Sequence, residues 1–233
     1  MTTAKLDQLV RIPADSVSLE GMLQLPEGAR GVVLFAHGSG SSRHSPRNNY
    51  VAGVLRDAGV GTLLMDLLTR EEDMNYETRF DIPLLTRRLL AATDWLKDSE
   101  HAGDLPIGYF GASTGAAAAL QAAARVAEIA AVVSRGGRPD LAGSEALGKV
   151  RCPTLLLVGG LDDVVIQLNR QAQAQMDCPR ELLIVPGATH LFEEPGTLEE
   201  VARHAAAWFT RYLGEGTGAR KPGASAPPPA TAR

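Results

Sequence analysis

From residue 32 onward the chain repeats one pattern, a short unbroken apolar run followed by a longer stretch with apolar residues at helical spacing. The runs are Val32–Ala36, Thr62–Met65, Ile107–Phe110, Ile129–Val133, Thr154–Val158 and Leu182–Val185. Runs this short, without polar alternation, suit strands covered on both faces, as in a parallel sheet. Between and after them, Asn49–Asp57, Leu84–Lys97, Ala116–Val126, Ile166–Gln175 and Leu198–Leu213 read as helices. In the second of these, Leu85, Leu89, Ala92 and Leu96 share one face, with Arg87, Arg88 and Asp94 elsewhere around the axis. The alternation predicts an α/β fold: a doubly wound, mostly parallel sheet with helices on both faces, joined by right-handed crossovers. Ahead of it, Val17–Leu25 alternates as a strand, and Leu6–Ile12 can pair with it as an opening hairpin.

The chain has 233 residues, 45% hydrophobic and 21% charged, enough to bury a large core as one domain over residues 1–213. Residues 214–233 are rich in Gly, Pro and Ala and too poor in large apolar groups to offset ordering entropy, so a disordered tail is expected there. A formal net charge of −4 gives no basic surface for nucleic acid or an anionic membrane. No segment reaches the roughly 20 apolar residues of a membrane span, and Met1–Val10 lacks a signal-peptide pattern. A cytoplasmic location follows as the expectation. Cys152 and Cys178 form neither a CxxC pair nor a metal-ligand cluster; two free thiols are the simpler reading, with a single disulfide left open.

Four strand ends carry the chemistry. Gly111-Ala112-Ser113-Thr114-Gly115 is a G-x-S-x-G between an apolar run and an alanine-rich helix, the context a nucleophile elbow requires. Side chains at Gly111 and Gly115 would collide with the neighbouring helix and strand, and the helix N-terminus places partial positive charge where an oxyanion forms. Alone, the motif could be an ordinary glycine-rich turn. His37-Gly38-Ser39-Gly40 follows Val32–Ala36, on the edge where open α/β sheets bind ligands. The Ser39 and Thr114 N–H groups are the expected oxyanion donors, and His37 is expected to brace its loop rather than act as a base. Gly159-Gly160-Leu161-Asp162-Asp163 follows Thr154–Val158 and offers a carboxylate to orient an imidazole. Asp162, earlier in the turn, is preferred, leaving Asp163 as a solvated or helix-capping residue. His190, after Leu182–Val185, falls where the order Ser, Asp, His places the base. His101 and His204 lack a strand-end setting and read as solvated.

Two basic groups adjoin this edge. Arg43, His44 and Arg47 follow the oxyanion loop, and Arg135 and Arg138 follow Ile129–Val133. They are candidates to clamp a carboxylate or phosphate of the substrate; the plainer reading pairs them with acidic neighbours such as Glu71, Glu72 and Asp140. The charged segment Thr69–Phe80 reads as a solvated loop, and residues 135–150 are too few for a separate cap domain.

With these residues in view, the chain resembles the α/β-hydrolase superfamily, and within it the small, lidless dienelactone hydrolase-like branch. The resemblance rests on HGSG at 37–40, GASTG at 111–115, GGLD at 159–162 and ATHLF at 188–192, and covers residues 17–213. It implies Ser113 as nucleophile, His190 as base and Asp162 as acid. True dienelactone hydrolases carry a cysteine nucleophile where this chain has Ser113, which favours general esterase chemistry over dienelactone itself. The expected activity is hydrolysis of small or short-chain esters without metal or organic cofactor. Thioesterase, amidase, peptidase or acyltransferase chemistry would use the same machinery, and a non-catalytic ligand-binding use of the fold is the rival from another class.

Overall fold

The computed structural model describes residues 4–214. Strands β1 (Ala4–Ala14) and β2 (Val17–Pro26) form the expected antiparallel hairpin at one edge of the sheet. They are followed by β3 (Val32–Ala36), β4 (Gly61–Met65), β5 (Ile107–Ala112), β6 (Ala131–Arg135), β7 (Thr154–Gly159) and β8 (Arg180–Val185). The eight strands lie in the order β1-β2-β4-β3-β5-β6-β7-β8, and the last six named are mutually parallel. Strands β3 to β7 are buried along their whole length, as unbroken apolar runs require. β8 has a single neighbour and is exposed over much of its length.

Helices α1 (Pro46–Asp57) and α7 (Thr197–Gly214) cover one face with Val51, Leu55, Val201, Trp208 and Phe209. The opposite face carries α3 (Ile82–Lys97), α4 (Thr114–Ala123), α5 (Ser144–Lys149) and α6 (Asp163–Ala174). α1 begins at Pro46 behind Ser45, whose hydroxyl accepts the Asn48 N–H; Asp81 does the same for α3 through Leu84. The chain leaves β3 toward α1 on one face and β5 toward α4 on the other. The crevice between those two strand ends is therefore a topological switch point, where folds of this kind place their ligands.

Three sequence expectations shift. β6 starts two residues later than the apolar run and ends on Ser134 and Arg135, both buried. The 69–80 segment is structured: α2 (Arg70–Asp73) starts with a capping box between Thr69 and Glu72, and a 3₁₀ turn spans Thr78–Phe80. Arg88, expected on the polar side of α3, is buried and binds the Ala14 carbonyl, Glu72 and Asp15, pinning α3 to α2 and to the β1–β2 turn. Residues 139–149 hold only a 3₁₀ turn (Pro139–Ala142) and α5, so among the described residues no cap domain rises over the sheet. Cys152 and Cys178 are free and buried, and burial pushes the Cys152 thiol up to about 12. Among the described residues no helix is long and apolar enough to cross a membrane. The expected tail beyond Gly214 lies outside the described residues.

Candidate active site

Ser113 stands at the turn from β5 into α4 with φ 50° and ψ −120°, a backbone conformation L-residues rarely hold. Two hydrogen bonds keep it there: the Ser113 N–H donates to the Arg135 carbonyl at 3.2 Å, and the Arg138 N–H donates to the Ser113 carbonyl at 3.1 Å. The flanking glycines are sterically required. A side-chain carbon on Gly111 would lie 2.4 Å from Ala116 Cα, and one on Gly115 would lie 2.1 Å from the Ala36 carbonyl oxygen. The absence of both side chains lets α4 descend onto the end of β3.

That descent brings the 37–40 loop to Ser113. A carbon on Gly38 would lie 3.1 Å from Ser113 Cβ. His37 is buried and uses both ring nitrogens: Nε2 accepts the Leu67 N–H at 3.0 Å, and Nδ1 donates to the Gly38 carbonyl at 2.9 Å. Burial lowers its pKa, keeping the ring neutral, as an acceptor nitrogen requires. His37 thus braces the loop. Thr114, the first residue of α4, carries an N–H that the helix itself cannot satisfy.

The other two strand ends meet each other. His190 Nδ1 lies 2.7 Å from Asp162 Oδ2. With the carboxylate as acceptor, Nδ1–H donates and Nε2 is left as the basic nitrogen. Asp163 is exposed at the start of α6; the capping position itself falls to Asp162, whose side chain makes no capping bond. The turn that carries Asp162 and the loop that carries His190 touch so closely that a carbon on Gly159 would lie 2.5 Å from the Ala188 and Thr189 carbonyl oxygens. Strand register then carries His190 toward Ser113. Ala112 pairs with Arg135, so Gly136 stands beside Ser113, and a carbon on Gly136 would lie 3.5 Å from His190 Cε1.

Two further residues shape the histidine loop, Glu194, which had no motif to mark it, and Phe192, the last residue of the 188–192 stretch. Glu194 accepts the Thr189 N–H at 3.0 Å and the Thr189 hydroxyl at 2.7 Å, bonds that lower its pKa. Phe192, buried with φ 56°, turns the loop back onto the core. His101 is exposed, whereas His204 is half-buried with Glu200 3.7 Å away.

The four arginines differ sharply in occupation. Arg43 is held by Asp66 and Glu20. Arg138 spends Nε and Nη2 on Asp140, at 2.9 and 2.8 Å. Arg47 pairs with the exposed Glu193 through Nη1 at 3.0 Å, but its Nε is buried without a partner. Arg135 is 8% exposed, and neither its Nε nor its Nη1 has a partner. Burial first, and the Arg47 cation second, push its pKa down to about 10, which leaves it charged at neutral pH. Among the described residues no group of His, Cys, Asp and Glu is arranged to hold a metal ion.

Comparison with known proteins agrees with this architecture. Residues 19–213 match the profile of the dienelactone hydrolase family. A crystal structure of a dienelactone hydrolase from Anabaena variabilis is 55% identical, with a TM-score of 0.86 over 89% of this chain and 98% of that one. Est1E from Butyrivibrio proteoclasticus, 18% identical, shares the fold with a TM-score of 0.75 over 88% of this chain and 98% of its own. Two Mycobacterium tuberculosis proteins, provisionally named phosphoribosyl transferases, are 59% identical over 209 residues, 89% of this chain. The chain spans about half the length of these curated relatives, 47%.

Proposed function

The chain belongs to the dienelactone hydrolase family, and from that premise we propose that it is a serine hydrolase cleaving small or short-chain carboxylic esters through an acyl-enzyme. The observation that carries the proposal is the 2.7 Å His190–Asp162 hydrogen bond, set beside a serine held in a strained turn. A lactone is a cyclic ester, so the activity for which the Anabaena relative is named belongs to the same reaction class. The two buried thiols support a reducing, cytoplasmic setting.

In the proposed reaction, His190 Nε2 takes the Ser113 proton as Oγ attacks the ester carbonyl. The carbonyl oxygen becomes an oxyanion received by the Ser39 and Thr114 N–H groups, and the positive end of α4 adds to their field. Asp162 stabilises the imidazolium without taking its proton. His190 passes that proton to the departing alkoxide, leaving an acyl ester on Ser113. Water, deprotonated by the same histidine, then attacks the acyl carbon; the Ser113 oxygen leaves, regains the proton and frees the acid.

A fluorophosphonate probe should label the protein at Ser113. The Ser113→Ala variant should neither label nor hydrolyse para-nitrophenyl butyrate above background. Undiminished hydrolysis by that variant would overturn the proposal.

A further inference from the structure

The triad and the oxyanion donors serve the carbonyl of an ester and leave its alcohol half without a seat. β2 runs antiparallel to β4, so its first residues come level with the end of β4. Gly21 pairs with Met65, and the Asp66 N–H donates to the Glu20 carbonyl at 3.0 Å. There β2, the end of β4, the start of α2 and residues 41–44 surround a cavity of about 660 Å³, a size typical of small-molecule sites. It shares His37, Leu68 and Asp73 with a small cavity lined by Ser39 and Thr114, the residues proposed above to hold the oxyanion. Leu19 and Leu68 are its only apolar lining residues. Sites for apolar ligands have the opposite balance.

The polar lining is mixed in charge and partly unused. Arg43 is engaged by Glu20 and Asp66, and Asp73 by Arg79 at 3.0 Å. That leaves one cation and one anion, Arg70 and Glu71, both exposed and neither with a side-chain partner among the described residues. The Ser18 and Ser41 hydroxyls and the His44 imidazole are free in the same sense. An anionic ligand would be repelled by the carboxylates and a cationic one by the guanidinium groups. A neutral group with several hydroxyls suits both, because each hydroxyl can donate to a carboxylate and accept from a guanidinium. We propose that this cavity binds the alcohol half of the ester, and that the alcohol is polyhydroxylated, as a sugar is. This rests on the serine-hydrolase reading above. The short acyl group passes to Ser113, and the sugar oxygen leaves with the proton from His190 as a free hydroxyl.

The test compares kcat/KM for methyl 6-O-acetylglucopyranoside with that for cyclohexylmethyl acetate, which has the same acyl group and ring size but no hydroxyls. The wild type should favour the sugar ester by about 10- to 100-fold, the range expected for hydrogen bonds to charged groups. Arg70→Ala and Glu71→Ala lie at exposed positions and should fold normally. Each should lower the ratio by about threefold or more while leaving para-nitrophenyl acetate hydrolysis within about twofold. Saturation-transfer NMR on the Ser113→Ala protein reads binding apart from turnover: the sugar ester should give a signal that added Glu71→Ala weakens. A wild type that treats the two esters alike or prefers the cyclohexyl one would overturn the inference. So would a ratio that neither substitution moves, or an absence of sugar-ester binding to Ser113→Ala. Failure of the hydrolase reading shows up separately, as hydrolysis that survives Ser113→Ala.

Discussion

At the scale of single residues, one step along the chain decides which aspartate serves His190. Asp162 turns its carboxylate to Nδ1, whereas Asp163, the next residue, is exposed on α6. Asp162→Asn should lower kcat by about 10³- to 10⁴-fold, because the amide favours the wrong tautomer; Asp163→Asn should leave kcat within about threefold, since loss of an exposed charge is a small effect. Steady-state kinetics on one soluble ester checks both. His37 adds a pH signature. Its folded-state pKa lies below the unfolded value, so its contribution to stability is full above about 6.5 and is lost as pH falls through the folded value. The stability gap between wild type and His37→Asn should therefore narrow in acid; denaturant titrations at several pH values measure it. Ser113, Asp162 and the 37–40 loop stood out in the sequence because each directly follows a buried strand, whereas His190 follows the largely exposed β8 and was picked out by its order along the chain. The states of the arginines were only partly legible. Asp140 is two residues from Arg138, but Arg43 finds Asp66 and Glu20 through tertiary contacts 23 residues away in sequence.

At the scale of elements, α4 shows how small side chains let a helix approach a strand end closely. It is alanine-rich and almost wholly buried, and Gly115 lets it rest on the carbonyls of Ala36 and His37. Gly115→Ala should destabilise the protein by about 1–3 kcal/mol, toward the upper end because the obstructing atoms are backbone. It should also push Ser113 away from the 37–40 loop, so that kcat falls more than KM rises. Thermal unfolding together with kinetics separates the two effects. Element types were readable from apolar run length and helical spacing, and the boundaries followed less closely. β6 extends through Ser134 and Arg135 because its ladder with β5 continues past the apolar run. The Thr69–Glu72 capping box was a readable helix start, masked by the charge of its surroundings.

At the scale of the whole molecule, no cap domain among the described residues covers the edge of the sheet that carries the candidate site, and Leu161, Val164 and Leu191 are exposed near Asp162 and His190. Such a site offers little enclosed apolar surface to a long acyl chain. Across a series of para-nitrophenyl esters, kcat/KM should be highest for the acetate-to-butyrate range and fall toward the laurate. The sheet is also unequally supported. Ser113 hangs from a central strand with neighbours on both sides, whereas His190 follows β8, which has one. Outer strands open at lower free energy than inner ones. The imidazole is thus mounted on the part of the scaffold that frays first, and mild denaturant should silence turnover while the interior still resists hydrogen exchange.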